Sequence, residues 1–183
     1  DRSEEYRARA ARFGKTAEEH GARSRLVSNL RGLSFGVAAV AAIVAATGRA
    51  VSVSGPLAVA GLCCFVALLV VHSRVIAAED TAKRWARVNL DAIRRVTGKW
   101  RELPENGARF ADAAHPYAGD LDLFGPGSLF QRLSVAHTRY GQEALARFIT
   151  KPETRDAILG RQQAVRVLAP ELETRQELEA LAL

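Results

Sequence analysis

The sequence predicts an all-α chain: a transmembrane helical hairpin with long flanking helices, followed by a small helical bundle. Three observations carry that prediction. Residues 33–71 contain a single charged side chain, Arg49, set between two apolar runs. The segments on either side are rich in Ala, Arg and Glu, which favour helix. From residue 128 onward, apolar residues return every three or four positions between Ser, Thr and Pro punctuation.

Residues 1–32 are read as an N-terminal amphipathic helix, with its helix formers concentrated in residues 3–31. Within it, Phe13 to Thr16 reads FGKT, the closing residues of a phosphate-binding loop. That loop also needs Gly five positions before Gly14, where Arg9 stands, and no strand pattern leads into it. The tripeptide is therefore given no functional weight.

Residues 33–71 are the hairpin. Val51 to Val71 runs 21 residues without a charge, or about 31 Å of helix, enough to cross a bilayer core. Leu33 to Thr47 gives only about 22 Å. It spans if Leu30 to Ala50 is used, with Arg31 and Arg49 snorkelling to the interfaces. Ser54, Gly55 and Pro56 predict a turn and a helix start, with Ser54 as N-cap and Pro56 in the first turn. Gly36, Ala38, Ala39, Ala41, Ala42, Ala45 and Ala46 would let helices approach closely. The competing reading is a buried helix pair in a soluble bundle, but neither run has the polar face that a surface helix needs. Cys63 and Cys64 are adjacent, which disfavours a disulfide between them, and two cysteines make no metal site, so they read as apolar packing.

Arg23, Arg25 and Arg31 precede the first run, Arg74, Lys83, Arg84 and Arg87 follow the second, and the loop holds only Arg49. The positive-inside rule then places both termini in the cytoplasm. No convincing cleavage site follows the first run, so it is not read as a removable signal peptide.

Residues 72–103 are read as a long amphipathic helix. Trp85, Val88, Ala92, Ile93, Val96 and Trp100 form its apolar face, opposite Arg84, Arg87, Asp91, Arg94 and Arg95. Pro104, Asn106 and Gly107 end it, and residues 104–119 are a linker. From Asp120 the pattern changes. The run DLDLF alternates like a short strand, and Gly125, Pro126 and Gly127 make a turn. Ser128 caps a helix LFQRLSVA, Thr138 caps RYGQEALARFIT, Thr154 caps RDAILGRQQAVRVLA, and ELETRQELEALAL begins a fourth. Pro152 and Pro170 break the run between them. Leu145, Phe148, Ile149, Ile158, Val165, Leu168, Leu172 and Leu178 are expected to share a core.

The net charge of +6 is unevenly placed. Residues 1–32 carry a balance of +3, residues 72–109 one of +4, and residues 110–183 one of −2. The basic excess flanks the apolar stretch, which suits a membrane surface better than a phosphate-neutralising DNA face. His20, His72, His115 and His137 lack ligand spacing, and Asp120 and Asp122 have no partner for acid–base work. The segment is not expected to be an enzyme by itself. The chain begins on Asp1, contains no Met, and ends within a helical pattern, so a longer protein is expected.

Three spaced motifs carry a family resemblance. They are GSLFQRL (Gly127, Ser128, Leu129), then Thr138, Gly141, Leu145, Phe148, Ile149 and Pro152, then Ile158, Arg161, Gln162, Gln163 and Val165. In this order they resemble the start of the central core, or lever, domain of the MutS family, and LETRQEL resembles its next helix. From His115 the run most resembles the membrane-associated MutS-like ATPases of bacteria. The resemblance implies that residues 120–183 begin a core domain cut short at Leu183. It implies a homodimer at a bacterial inner membrane that couples a downstream ATPase, with ATP and magnesium, to DNA-contacting elements. Gly127 and Ser128 would set the first helix, Gly141 would permit close helix approach, and Arg161 and Gln162 would hold a helix junction. No Phe has Glu two positions on, so the mismatch-reading motif of the repair proteins is absent. The alternative is a membrane-anchored helical scaffold that binds proteins and has no DNA role.

Overall fold

The computed structural model describes residues 1–48 and 50–183; Arg49, expected to snorkel, lies outside the described residues. Among the described residues every regular element is helical. Six α-helices follow in order: α1 (Arg2–Ala46), α2 (Val51–Val96), α3 (Leu129–Leu133), α4 (Arg139–Thr150), α5 (Arg155–Leu168) and α6 (Leu172–Leu181). Two short 3-10 turns, Trp100–Glu102 and Ala108–Phe110, lie between α2 and α3.

The helix starts are locally encoded. Asp1 Oδ1 accepts from the Ser3 amide at 3.1 Å, an N-cap for α1, and Glu4 and Glu5 follow in the first turn. Thr138 and Thr154 cap α4 and α5 where the sequence places them. The start of α2 differs from expectation. It begins at Val51, directly after Gly48 (φ 72°) and Ala50 (φ 48°) reverse the chain. Ser54 is therefore inside the helix, with its hydroxyl donating back to the Ala50 carbonyl at 3.0 Å, and Pro56 is interior as well. The expected helix end also moves. Gly98 takes φ 80°, a left-handed conformation that closes α2 at Val96, so Trp100 leaves the helix and enters a 3-10 turn. Residue boundaries 32/33 and 71/72 are not element ends, because α1 and α2 run through them.

The chain divides into two compact units, Phe13–Lys83 and the pair Asp1–Arg12 with Arg84–Leu183. The first unit is an antiparallel hairpin. Phe35 and Phe65 meet at 5.4 Å between ring centroids, and Ala38 lies against Gly61. A Cβ on Gly61 would stand 2.9 Å from the Ala38 Cβ, closer than packed carbons tolerate. Of the small residues expected to allow close approach, Ala38 does so and Ala41 is buried, whereas Gly36, Ala42 and Ala46 face outward. Gly61→Val should weaken the hairpin by roughly 1–3 kcal/mol, read as earlier unfolding in a denaturing-detergent titration; an unchanged midpoint would refute the Ala38–Gly61 crossing. Away from this seam the apolar side chains face outward. Leu33, Ile43 and Val53 are 65–67% exposed, and only 11% and 6% of the two apolar windows is buried.

The second unit is built around an aromatic trio. Phe110, Phe124 and Phe130 have ring centroids 5.5–5.9 Å apart, and Phe130 is fully buried. Leu103 and Leu123 are buried with it, as are Gly107 and Ala118 from the segment 104–119, most of whose other residues are exposed. Gly107 (φ 71°) is the position that permits this: a Cβ there would fall 2.6 Å from the Phe130 ring. The expected strand DLDLF is absent. Asp122 adopts φ 47°, and the carbonyls of Asp122 and Leu123 instead accept the amides of Leu129 and Phe130 at the start of α3. A left-handed residue cannot sit in a pleated ladder, so alternation alone misled. The α3 helix is also shorter than expected, ending at Leu133.

The expected apolar core of α4 to α6 is not formed by those residues. Phe148, Ile158, Val165, Leu168 and Leu178 are exposed, α5 buries no side chain, and α4 buries Gln142 and Ala146.

Candidate functional site

A buried polar region of the second unit lies where α6 meets the N-terminal turns of α1 and the last turns of α2. Helical spacing builds it. Asn89 lies one turn beyond Trp85 and is fully buried; its Nδ2 donates to the Trp85 carbonyl at 2.8 Å. Its Oδ1 accepts from Gln176 Nε2 of α6 at 2.8 Å. Gln176 Oε1 in turn accepts from Arg9 Nε of α1 at 2.9 Å. Arg9 also pairs with Glu173 at 3.6 Å and lies over the Trp85 ring at 5.8 Å. Three helices are thus joined by one chain of side-chain hydrogen bonds.

A second group lies further along α6. Arg95 Nη2 donates to the Ser134 carbonyl at 2.6 Å, and its other terminal nitrogen is 3.9 Å from Glu179. His137 Nε2 is 3.2 Å from the same Glu179 oxygen. Arg95 and Glu179 border a half-open cavity of about 190 Å³ with Tyr6, Val135 and Gln176. Arg9 Nη2, Arg95 Nε and Arg175 Nε are buried without a hydrogen-bond partner. The arrangement ties α6 to α1 and α2 at several points.

The residues singled out by the family motifs take no part in these junction bonds. Gly127 (φ 81°) donates its amide to Gln131 Oε1 at 2.8 Å, and Ser128 Oγ accepts from the Gln131 amide at 3.2 Å. Ser128 Oγ also donates to the Asn106 carbonyl, and Gln131 Nε2 donates to the Leu103 carbonyl at 2.6 Å. Together these bonds start α3 and hold the preceding loop to it. Leu129 is half exposed. Thr138 Oγ1 accepts from the Gly141 amide at 3.2 Å. A Cβ on Gly141 would meet Ala136 and Thr138 of its own capping turn, not another helix. Leu145 is half-buried, and Pro152 is exposed after the last residue of α4. Arg161 pairs with Glu153 at 2.9 Å and lies 3.9 Å over the Phe148 ring, joining α5 to the end of α4. Gln162 is exposed.

His115 Nε2 and Tyr117 Oη both reach the Thr150 carbonyl, at 3.1 and 2.8 Å, and tie the HPY loop to the end of α4. Two surface cations have raised pKa values, Lys83 through its hydrogen bond to Glu79 and Arg139 through its hydrogen bond to Glu143. Neither belongs to the junction.

Gly14, Lys15 and Thr16 lie in the interior of α1, where helical amides are already used by the helix and do not cradle phosphate. Among the described residues no three His, Cys, Asp or Glu side chains are grouped to hold a metal ion. Arg9, Asn89 and Gln176 escaped sequence reasoning. The available signal was Asn89, a polar residue four positions from Trp85 and one from Val88 on an otherwise apolar face. No protein-family model matches the chain, and no curated protein or solved structure is significantly similar to it.

Proposed function

We propose that this chain is the membrane anchor and the beginning of the core domain of a MutS-like ATPase. In this reading α1 and α2 cross the inner membrane of a bacterium as a hairpin with both termini cytoplasmic. The observation that carries the anchor is the outward display of apolar side chains along two long helices, with Ile43 and Val53 at 66% and 67% exposure. Burial of apolar surface stabilises by about 25 cal/mol per Å². A chain this small that leaves its most apolar segments unburied gains that energy from lipid. The basic excess on both flanks supports the orientation.

The family part of the proposal rests on the spaced motifs around Gly127, Ser128, Thr138, Gly141, Pro152, Arg161 and Gln162. The polar junction supports a relay role. It links α6, inside the motif region, to the lower turns of the two helices that continue into the hairpin. Nucleotide-driven movement in a downstream ATPase would enter through such a joint. Homodimerisation and DNA contact follow from the same resemblance and belong to the longer protein. The second reading, a membrane-anchored scaffold without a DNA role, is favoured by the −2 balance of residues 110–183. A phosphate-binding loop in the continuation of the reading frame separates the two.

Fractionation of bacteria expressing the chain tests the anchor. It is expected in the membrane pellet after a carbonate wash, with both termini labelled only from the cytoplasmic side. A monodisperse, detergent-free protein would refute it.

A further inference from the structure

Where the hairpin leaves its apolar stretch, the facing sides of α1 and α2 enclose a cleft of about 330 Å³. Its lining is His20 and Arg23 from α1 and Val71, Arg74, Val75 and Ala78 from α2. Gly21 facing Glu79 keeps the antiparallel register of Phe35 on Phe65, so both arginines stand at the same end of the hairpin.

Charge in the cleft is one-sided. No carboxylate lines it, and Glu79, the residue after Ala78, is held by Lys83 Nζ at 2.6 Å. Neither Arg23 nor Arg74 has an ion pair or hydrogen bond among the described residues, and both are exposed. Depth fits as well. Arg74 lies three residues past Val71, about 4.5 Å along the axis, and a headgroup layer is about 5–8 Å thick on each side of the hydrocarbon.

We propose that this cleft binds the headgroup phosphate of an anionic phospholipid. The guanidiniums of Arg23 and Arg74 grip the phosphodiester from two helices, and the exposed Val71, on the bilayer side of Arg74, receives the glycerol and upper acyl carbons. Guanidinium suits phosphate oxygens through paired, planar donors. A choline or ethanolamine headgroup brings its own cation, and the lining offers it no carboxylate, so an anionic lipid is preferred. The proposal rests on the membrane-spanning reading above.

The test uses the full chain taken from phosphatidylcholine vesicles containing a minor share of phosphatidylglycerol, with retained lipid identified by native mass spectrometry. The wild type is expected to enrich phosphatidylglycerol. The double variant R23Q/R74Q is expected to lose about thirtyfold in that preference, while R2Q/R7Q, equal in charge change but outside the cleft, keeps it. Equal enrichment by R23Q/R74Q in a chain that still resists carbonate extraction would overturn the cleft and leave the anchor standing. Displacement by inorganic phosphate as effective as by short-chain phosphatidylglycerol would overturn the lipid as ligand. Extraction of the wild type by carbonate would remove the anchor, and the site with it.

Discussion

Phe130→Ala is expected to destabilise the unit formed by Asp1–Arg12 and Arg84–Leu183 by about 3–5 kcal/mol, the range for deleting a buried aromatic ring. Phe130 is fully buried, and its ring touches both Phe110 and Phe124. The cavity cannot easily collapse. Gly107 approaches the ring with its backbone, and that backbone is fixed by the Gly125 amide bond to the Asn106 carbonyl at 2.9 Å. Thermal unfolding of the full chain in detergent, followed by the fluorescence of Trp85 and Trp100, both in this unit, reads the loss. A cost below about 1 kcal/mol would mean that the trio is not the core of this unit. Phe148, 41% exposed, provides the comparison: its truncation removes less buried surface and should cost less.

That contrast shows where the sequence was legible. Periodicity, caps and charge asymmetry are local, so α4, α5 and the apolar hairpin could be placed from residues alone. Thr138 and Thr154 cap their helices because each has the free hydroxyl and the extended backbone an N-cap needs. Burial is not local. Phe148 and Phe130 have the same side chain, and only the folding of residues 104–128 over α3 decides which is covered. The motif region therefore gave the right helices and the wrong core. The strand expected at Asp120 to Phe124 failed for a related reason, because a φ of 47° at Asp122 is set by the α3 amides it serves. The polar junction was the least legible feature. Arg9 and Gln176 are 167 positions apart in the chain, and Arg and Gln read as solvent-facing by composition.

The same junction yields the sharpest energetic test. Gln176→Leu is expected to cost about 2–4 kcal/mol, because it strands two groups at once, Arg9 Nε and Asn89 Oδ1. Asn89 is fully buried, so water does not readily replace the lost partner. Hydrogen exchange of α6 amides should accelerate more than that of α3, since α3 is held by the separate Ser128–Gln131 bonds. The double variant Asn89→Leu/Gln176→Leu is predicted to recover part of the loss, because replacing both partners by apolar groups removes the stranded acceptor. Arg9 keeps Glu173 and the Trp85 face in either case, which limits its own penalty. Additive losses in the cycle would show that Asn89 and Gln176 are not energetically coupled. A coupling of about 1 kcal/mol or more would establish the bond as a real connection between α2 and α6, as a relay through this joint requires.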